Sequence, residues 1–213
     1  GFEFKPGQAI DLVLAGPGDA DAQDGRHAFS LVSAPFESSL TVATRLRDSA
    51  FKRALQALRP GARARLEGPF GSLTLHRNPS RPGVLIAGGI GITPFMSMLR
   101  QAAHDGMPQQ LRLLYSNRRP ETTAFLEELQ QIERQHERFR LVATMTQADP
   151  PLAGWSGQTG SIDETLLKRH TEDLNGAIWY LVGSPDMVAA MRQTLGRIGV
   201  DEDDVRGEEF FGY

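Results

Sequence analysis

The chain has 213 residues, 40% of them hydrophobic and 23% charged, with a formal net charge of -3, so it can bury a real core and is neither disordered nor a coat for nucleic acid. It contains no cysteine, which excludes a disulfide framework, a Cys-ligated zinc, a thiol nucleophile and an iron–sulfur cluster held by this chain; redox chemistry would have to use a bound organic cofactor. The five histidines, His27, His76, His104, His136 and His170, form no HxxxH pair, and no metal site is expected.

The first third reads as short strands punctuated by Gly and Pro: Gln8 to Leu14, Phe29 to Ser33, Leu40 to Thr44, Ala62 to Glu67 and Ser72 to Leu75. One helix is predicted among them, from about Ser49 to Leu58, with Phe51, Ala54, Leu55 and Leu58 on one face and Pro60-Gly61 ending it. Many strands with one helix point to a small antiparallel barrel or sandwich. After Asn78-Pro79-Ser80-Arg81-Pro82 the pattern changes to alternating units: strand Val84 to Ala87, a helix opened by Pro94, strand Leu111 to Tyr115, helix Thr122 to Gln135, strand Leu141 to Met145, helix Ile162 to Arg169, strand Ile178 to Val182 and helix Met187 to Ile198. Such alternation predicts a parallel sheet with helices on both faces. The expected domains are 1–78 and 79–213.

Pro82 to Leu99 carries no charge, but Gly83, Gly88, Gly89, Gly91 and Pro94 interrupt it where a spanning helix needs about 20 apolar residues. No membrane span and no signal peptide is read, and the expected location is the cytoplasm. Instead, Gly88-Gly89-Ile90-Gly91-Ile92-Thr93-Pro94 lies between the first strand of the α/β part and its first helix. Glycines there let the backbone approach a pyrophosphate, and a helix N-terminus offers free N–H groups to an anion. The motif departs from GxGxxG at Pro94, which suits a first helical turn but donates no N–H. At the end of the next strand, Tyr115-Ser116-Asn117-Arg118-Arg119 has no acid for a ribose diol, which favours NADPH over NADH with Ser116 and Arg118 as phosphate partners; Glu121 stands nearby.

Charge is segregated. Arg45, Arg47, Lys52, Arg53, Arg59, Arg63 and Arg65 face a single acid, Asp48, within 45–65, in a chain that is acidic overall. The partner of this patch is an anion: a cofactor pyrophosphate, an acidic electron carrier or RNA. Phe51 is its only aromatic, too few for a nucleic-acid stacking platform, and no nucleic-acid partner is expected. Ser49 also reads as an ordinary helix N-cap. Gly154-Trp155-Ser156-Gly157-Gln158 misses the GxSxG elbow, and no GKS or GKT P-loop exists, which argues against hydrolase and NTPase chemistry.

Five stretches together carry a resemblance: His27-Ala28-Phe29-Ser30 with Leu31 to Pro35, Glu67-Gly68-Pro69-Phe70-Gly71, the Gly88–Pro94 turn, Tyr180-Leu181-Val182-Gly183-Ser184-Pro185-Asp186-Met187, and Glu208-Glu209-Phe210-Phe211-Gly212-Tyr213. In this order, and over essentially the whole chain, they resemble the ferredoxin-NADP reductase family. The resemblance implies an antiparallel β-barrel that binds FAD, followed by an α/β domain for NADPH or NADH. It implies that Phe29 packs on the isoalloxazine, that Ser30 hydrogen-bonds near flavin N5, and that Ala28 belongs to the same motif. His27 stands where the commonest form has an arginine for the flavin pyrophosphate, and Arg26, one position early, should point to the other face of its strand. Arg47-Asp48-Ser49-Ala50-Phe51-Lys52 matches the position of the family's pyrophosphate-binding helix, and Arg45, Ser49, Ala50, Phe51 and Lys52 are its expected cofactor-binding residues.

The glycines Gly88, Gly89 and Gly91 with Thr93 and Pro94, and the second turn of Gly183, Ser184, Pro185 and Met187, would serve the nucleotide. Val182 replaces a cysteine common in the family. The ending is similar to flavohaemoglobin reductase domains, which implies that Phe211 covers the flavin and Glu209 lies near the transfer site, with Tyr213 a competitor for the shielding role. Phe4 to Gln8 resembles the loop after the barrel's first strand, so that strand is expected to be missing from the barrel.

The implied function is hydride transfer from NADPH to FAD, then single electrons to a separate acceptor such as ferredoxin or flavodoxin, or a small molecule. Two alternatives stay open: a reductase of free flavin or ferric chelates, and a non-catalytic nucleotide-sensing module on the same scaffold.

Overall fold

The computed structural model describes residues 2–14, 25–147 and 154–211. In the N-terminal part, strands β1 (Ala9–Leu14), β2 (Arg26–Ser30) and β3 (Ala64–Phe70) form an antiparallel sheet in the order β2-β1-β3. Helix α1 (Ala50–Ala57) starts at Ser49, whose hydroxyl accepts the Lys52 N–H, and it buries Phe51 against Leu12, Leu14 and Phe29. Two expected strands are absent as regular elements. Leu40 to Thr44 is reduced to a bridge between Leu31 and Val42, because the Thr41 N–H is taken by the Ser33 hydroxyl at 3.0 Å rather than by a ladder. Ser72 to Leu75 has no strand partner; Leu73 instead packs into the core of the other half.

The C-terminal part is an all-parallel sheet in the order β7-β6-β5-β4-β8-β9. Its strands are β4 (Gly83–Gly88), β5 (Leu111–Asn117), β6 (Phe139–Met145), β7 (Gln158–Thr159), β8 (Ile178–Gly183) and β9 (Val205–Glu209), interleaved with helices α2 (Thr93–His104), α3 (Leu126–Gln135), α4 (Glu164–Thr171) and α5 (Pro185–Arg197). The continuous apolar runs are explained by burial on both faces. Leu85, Ala87, Leu113, Tyr115, Tyr180 and Val182 face one core with α2 and α3, and Val84, Ile86, Leu114, Trp179 and Leu181 face a second core with α4 and α5. Each buried Val, Leu or Ile among them contributes roughly 1.5–3 kcal/mol. The predicted helix from Thr122 begins later, at Leu126, because a short 3-10 turn at Pro120–Thr122 and a left-handed Phe125 (φ 59°) intervene. Strands β7 and β9 were not foreseen: one has two residues, and the other, Val-Arg-Gly-Glu-Glu, shows no apolar alternation. Among the described residues no helix is long and apolar enough to cross a membrane.

Two sets of contacts dock the halves. The buried Ser97 hydroxyl of α2 donates to the Ser33 carbonyl at 2.7 Å. Arg100 forks onto Glu128 at 2.7 and 2.9 Å and reaches Glu37 at 3.4 Å, while Phe36 stacks on His104 with centroids 4.1 Å apart. The second set ties the connecting segment to β8. The His76 backbone N–H donates to the Tyr180 hydroxyl at 2.8 Å, that hydroxyl lies 2.8 Å from His76 Nδ1, and Nε2 lies 2.9 Å from the Arg81 carbonyl. Neutral imidazole with its proton on Nε2 satisfies all three, since Nδ1 then accepts from the hydroxyl.

Burial holds the His76 imidazole below its ordinary 6.5, helped by the Arg206 and Arg81 guanidiniums and opposed by the Arg81 carbonyl. Arg81 is itself paired with Asp204 at 2.8 Å, and Arg206 sits over the Tyr180 ring. Because the folded state binds this proton less readily than the unfolded chain, the contribution is complete above pH 6.5 and is lost as pH falls toward the folded value. The melting temperature should therefore fall on acidification from about pH 7 to pH 5, and His76→Gln should flatten that slope. Equal slopes in thermal melts of the two proteins would contradict this.

Candidate functional site

In open parallel sheets, ligands bind beyond the carboxyl ends of the strands. Here β4 ends at Gly88, a 3-10 turn covers Gly89–Ile92, and α2 begins at Thr93. The turn lies against the end of β8. A Cβ placed on Gly91 would stand 2.6 Å from the Val182 carbonyl oxygen, so only glycine lets the two backbones approach this closely. Gly89 has φ 54°, and a Cβ there would meet the Arg45 guanidinium at 3.2 Å. The Tyr115 hydroxyl donates toward the Gly89 carbonyl at 3.0 Å and has the Ala124 carbonyl at 3.2 Å; burial pushes its pKa up to about 12, so it stays a donor. Ser116 pairs with Gly88 across the β4–β5 ladder, and Arg118 follows in an exposed position. Gly183, Ser184, Pro185 and Met187 form the adjoining turn, where Ser184 caps α5 by accepting the Met187 N–H.

A cleft of about 650 Å³ opens beside this turn, with walls from both halves. Of the residues singled out by sequence, His27, Ala28, Phe29, Ser30, Arg45, Ser49, Lys52, Thr93, Glu209 and Phe211 line it. Ser30 is buried in its wall, and Phe29 is buried in a three-ring cluster with His27 (centroids 4.8 Å apart) and Phe51 (5.9 Å), which are themselves 5.2 Å apart. Phe211 is 79% exposed. Ala50 is exposed and Phe51 is buried beneath the sheet, both outside the cleft wall; Gly88, Gly89, Gly91 and Pro94 lie along the turn and the helix start above it. Tyr213 lies outside the described residues.

The electrostatics are mixed. Lys52 is buried, its ammonium donates to the Arg45 carbonyl at 2.6 Å, and burial, then Arg47, holds its pKa below the ordinary lysine value. Arg26 pairs with Asp11 at 2.7 Å and Glu67 at 2.5 Å. It shares the strand face of Ala28, opposite that of His27 and Phe29, as strand alternation requires. Arg53 pairs with Asp48 and Arg65 with Glu67. Arg45 and Arg47 meet no carboxylate among the described residues and both line the cleft.

Thr44 also lines the cleft without a signal in sequence, and Phe70, Ile90, Glu208 and Phe210 line it as members of the motifs that were given no individual role. Glu208 is the most informative: it is half-buried, and desolvation pushes its carboxyl above the ordinary range, whereas its neighbour Glu209 is exposed. Two adjacent glutamates look alike in sequence; only the pairing of β9 with β8, with Glu208 opposite Val182 and Glu209 opposite Gly183, separates them.

The family described as oxidoreductase NAD-binding domain matches residues 85–193. Over 98% of this chain and 86% of the relative, the sequence is 32% identical to ferredoxin--NADP reductase B of Sorangium cellulosum. It is 28% identical to the reductase component of propane 2-monooxygenase from Rhodococcus jostii, spanning 99% of this chain but 56% of that protein. A crystal structure of a ferredoxin NADP+ reductase from Neisseria gonorrhoeae with bound FAD and NADP superposes with a TM-score of 0.77 at 24% identity, over 99% of this chain and 88% of that one, and shares the fold.

The close approach at Gly91 yields a test. Gly91→Ala must push the turn away from the Val182 carbonyl and should cost about 1–3 kcal/mol in denaturant unfolding. An unchanged midpoint would show that the turn is not held there.

Proposed function

The chain belongs to the ferredoxin-NADP reductase family, whose members are FAD-dependent NAD(P)H oxidoreductases, and from that premise we propose that it takes hydride from NADPH and delivers electrons one at a time to a separate acidic carrier protein such as ferredoxin or flavodoxin. The observation that carries the reading is the shared cleft: its walls include Ser30 from one half and Ile90, Thr93 and Glu208 from the other. The reading divides the chain into a flavin part, 1–78, and a nucleotide part, 79–213.

The residues present fit both cofactors. Unpaired Arg45 and Arg47, with the Ser49-capped start of α1, suit a diphosphate, and Phe29, Phe70, Phe210 and Phe211 suit a flat aromatic ring. The Gly88–Ile92 turn, which leads straight from the end of β4 into the N-terminus of α2, suits the second dinucleotide. When bound, FAD supplies the hydride-accepting N5 and the capacity to release electrons singly.

In this reading the protein positions and shields. The Ser30 hydroxyl, buried at the cleft wall, both donates and accepts, so it can follow a change of protonation opposite it. The Arg45 guanidinium, which stands beside the Gly89 turn across the boundary, would hold the FAD diphosphate together with Arg47. Lys52 acts one step back, fixing the Arg45 backbone. Phe211 would cover the ring, and of the two glutamates Glu208 is the better placed to hold a proton, because its burial favours the neutral form. Ser116 and exposed Arg118 would read the phosphate that distinguishes NADPH. The basic residues of 45–65 that remain outside the cleft, with exposed Leu46 and Leu58 among them, would receive the acidic carrier.

Purified protein incubated with FAD should keep a yellow chromophore through gel filtration, and NADPH should bleach it. Arg118→Ala should raise the KM for NADPH by about tenfold while leaving that for NADH nearly unchanged, the loss expected for one charge-assisted contact. A colourless protein, or equal effects on both nucleotides, would overturn the corresponding part of the reading.

A further inference from the structure

Gly88 and Gly183 end the neighbouring strands β4 and β8, and one side chain fills the notch between them. A Cβ on Gly183 would stand 2.6 Å from the sulfur of Met187, and one on Gly88 would overlap the same atom. The thioether therefore occupies space that exists only because both positions are glycine. Of the chain's six methionines, Met96, Met98, Met107, Met145 and Met191 are buried, none more than 7% exposed, and Met187 alone is partly exposed. In a chain without cysteine, it is the most accessible soft nucleophile.

We propose that Met187 is a modification site, at which hydrogen peroxide converts the thioether to the sulfoxide and thereby weakens nucleotide binding at the Gly88–Pro94 turn. The proposal rests on the reading of that turn as the nucleotide site. A sulfur lone pair attacks one peroxide oxygen and the O–O bond breaks. Sulfur loses two electrons and gains that oxygen, and the departing hydroxide takes up the proton that the attacked oxygen gives up and leaves as water. Glycine backbone bounds the sulfur on two sides, with too little room for a methyl carbon. The added oxygen must then face the open side of the notch, or the side chain must leave it. Either way a polar oxygen with partial negative charge replaces an apolar surface beside a turn that receives an anion. The five buried methionines are shielded from the same reagent by the core.

The test uses protein loaded with FAD, treated with hydrogen peroxide, and read in three ways: peptide mass spectrometry for added oxygen, calorimetric titration with NADP+, and the absorbance of retained FAD. The expected result is oxidation at Met187 before any other methionine, a rise in the Kd for NADP+ of about tenfold, unchanged FAD content, and recovery after methionine sulfoxide reductase treatment. Met187→Leu should show the same Kd before and after peroxide, whatever its starting value, and Met187→Gln should bind NADP+ weakly without peroxide. Oxidised Met187 with an unchanged Kd, loss of binding with Met187 unmodified, or an equal loss in Met187→Leu would each overturn the proposal. Untreated protein that holds FAD but binds neither NADP+ nor NADH would remove the nucleotide site itself and this proposal with it, a result distinct from those three.

Discussion

The fold turns on a single close approach, that of Gly91 to the carbonyl of Val182. Because no side chain intervenes, the turn after β4 lies directly on the end of β8, and this fixes where α2 starts and which way it runs. From α2, Ser97 and Arg100 reach across to Ser33, Val32 and Glu37 of the other half. The position of the antiparallel sheet relative to the nucleotide turn is thus inherited from a backbone contact near the centre of the parallel sheet. The cleft exists because these two placements leave a gap between β2 and the end of β9, with Arg45 lining one side. Packing interiors transmit such constraints because they have little free volume to absorb a shift.

Charge is arranged on the same frame. Five of the seven basic residues of 45–65 fall into three uses. Lys52 is turned inward onto the Arg45 carbonyl, Arg53 and Arg65 are spent on neighbouring carboxylates, and Arg45 and Arg47 face the cleft. The exposed pairs are worth little to stability, so the concentration of positive charge has its main effect on what approaches the surface. Arg26, held by Asp11 and Glu67, is neutralised locally and adds little to that field.

Much of this was legible in sequence, for physical reasons that differ by region. The βα alternation was clear because strands buried on both faces must be apolar throughout, as Val84 to Ala87 and Ile178 to Val182 are. Strand β9 was not, because an edge strand covered on one side tolerates Arg206, Gly207 and Glu209. The expected strands at Leu40 to Thr44 and Ser72 to Leu75 failed because side-chain hydrogen bonding and docking onto the other half claimed their residues. At the site, motif residues marked both walls of the cleft but could not rank them. Glu208 against Glu209 is decided by burial on one strand, and the setting of Met187 by two glycines far apart in sequence. Neither leaves a local signature.

In the proposed function the cleft brings a nicotinamide ring to a flavin for direct hydride transfer. Anaerobic rapid mixing of the FAD-loaded protein with NADPH carrying deuterium at C4 tests it most directly. Flavin bleaching should slow for deuterium on one face of the nicotinamide and not the other, since a fixed cleft presents one face only. Bleaching that is absent, or that ignores deuterium on both faces, would contradict it.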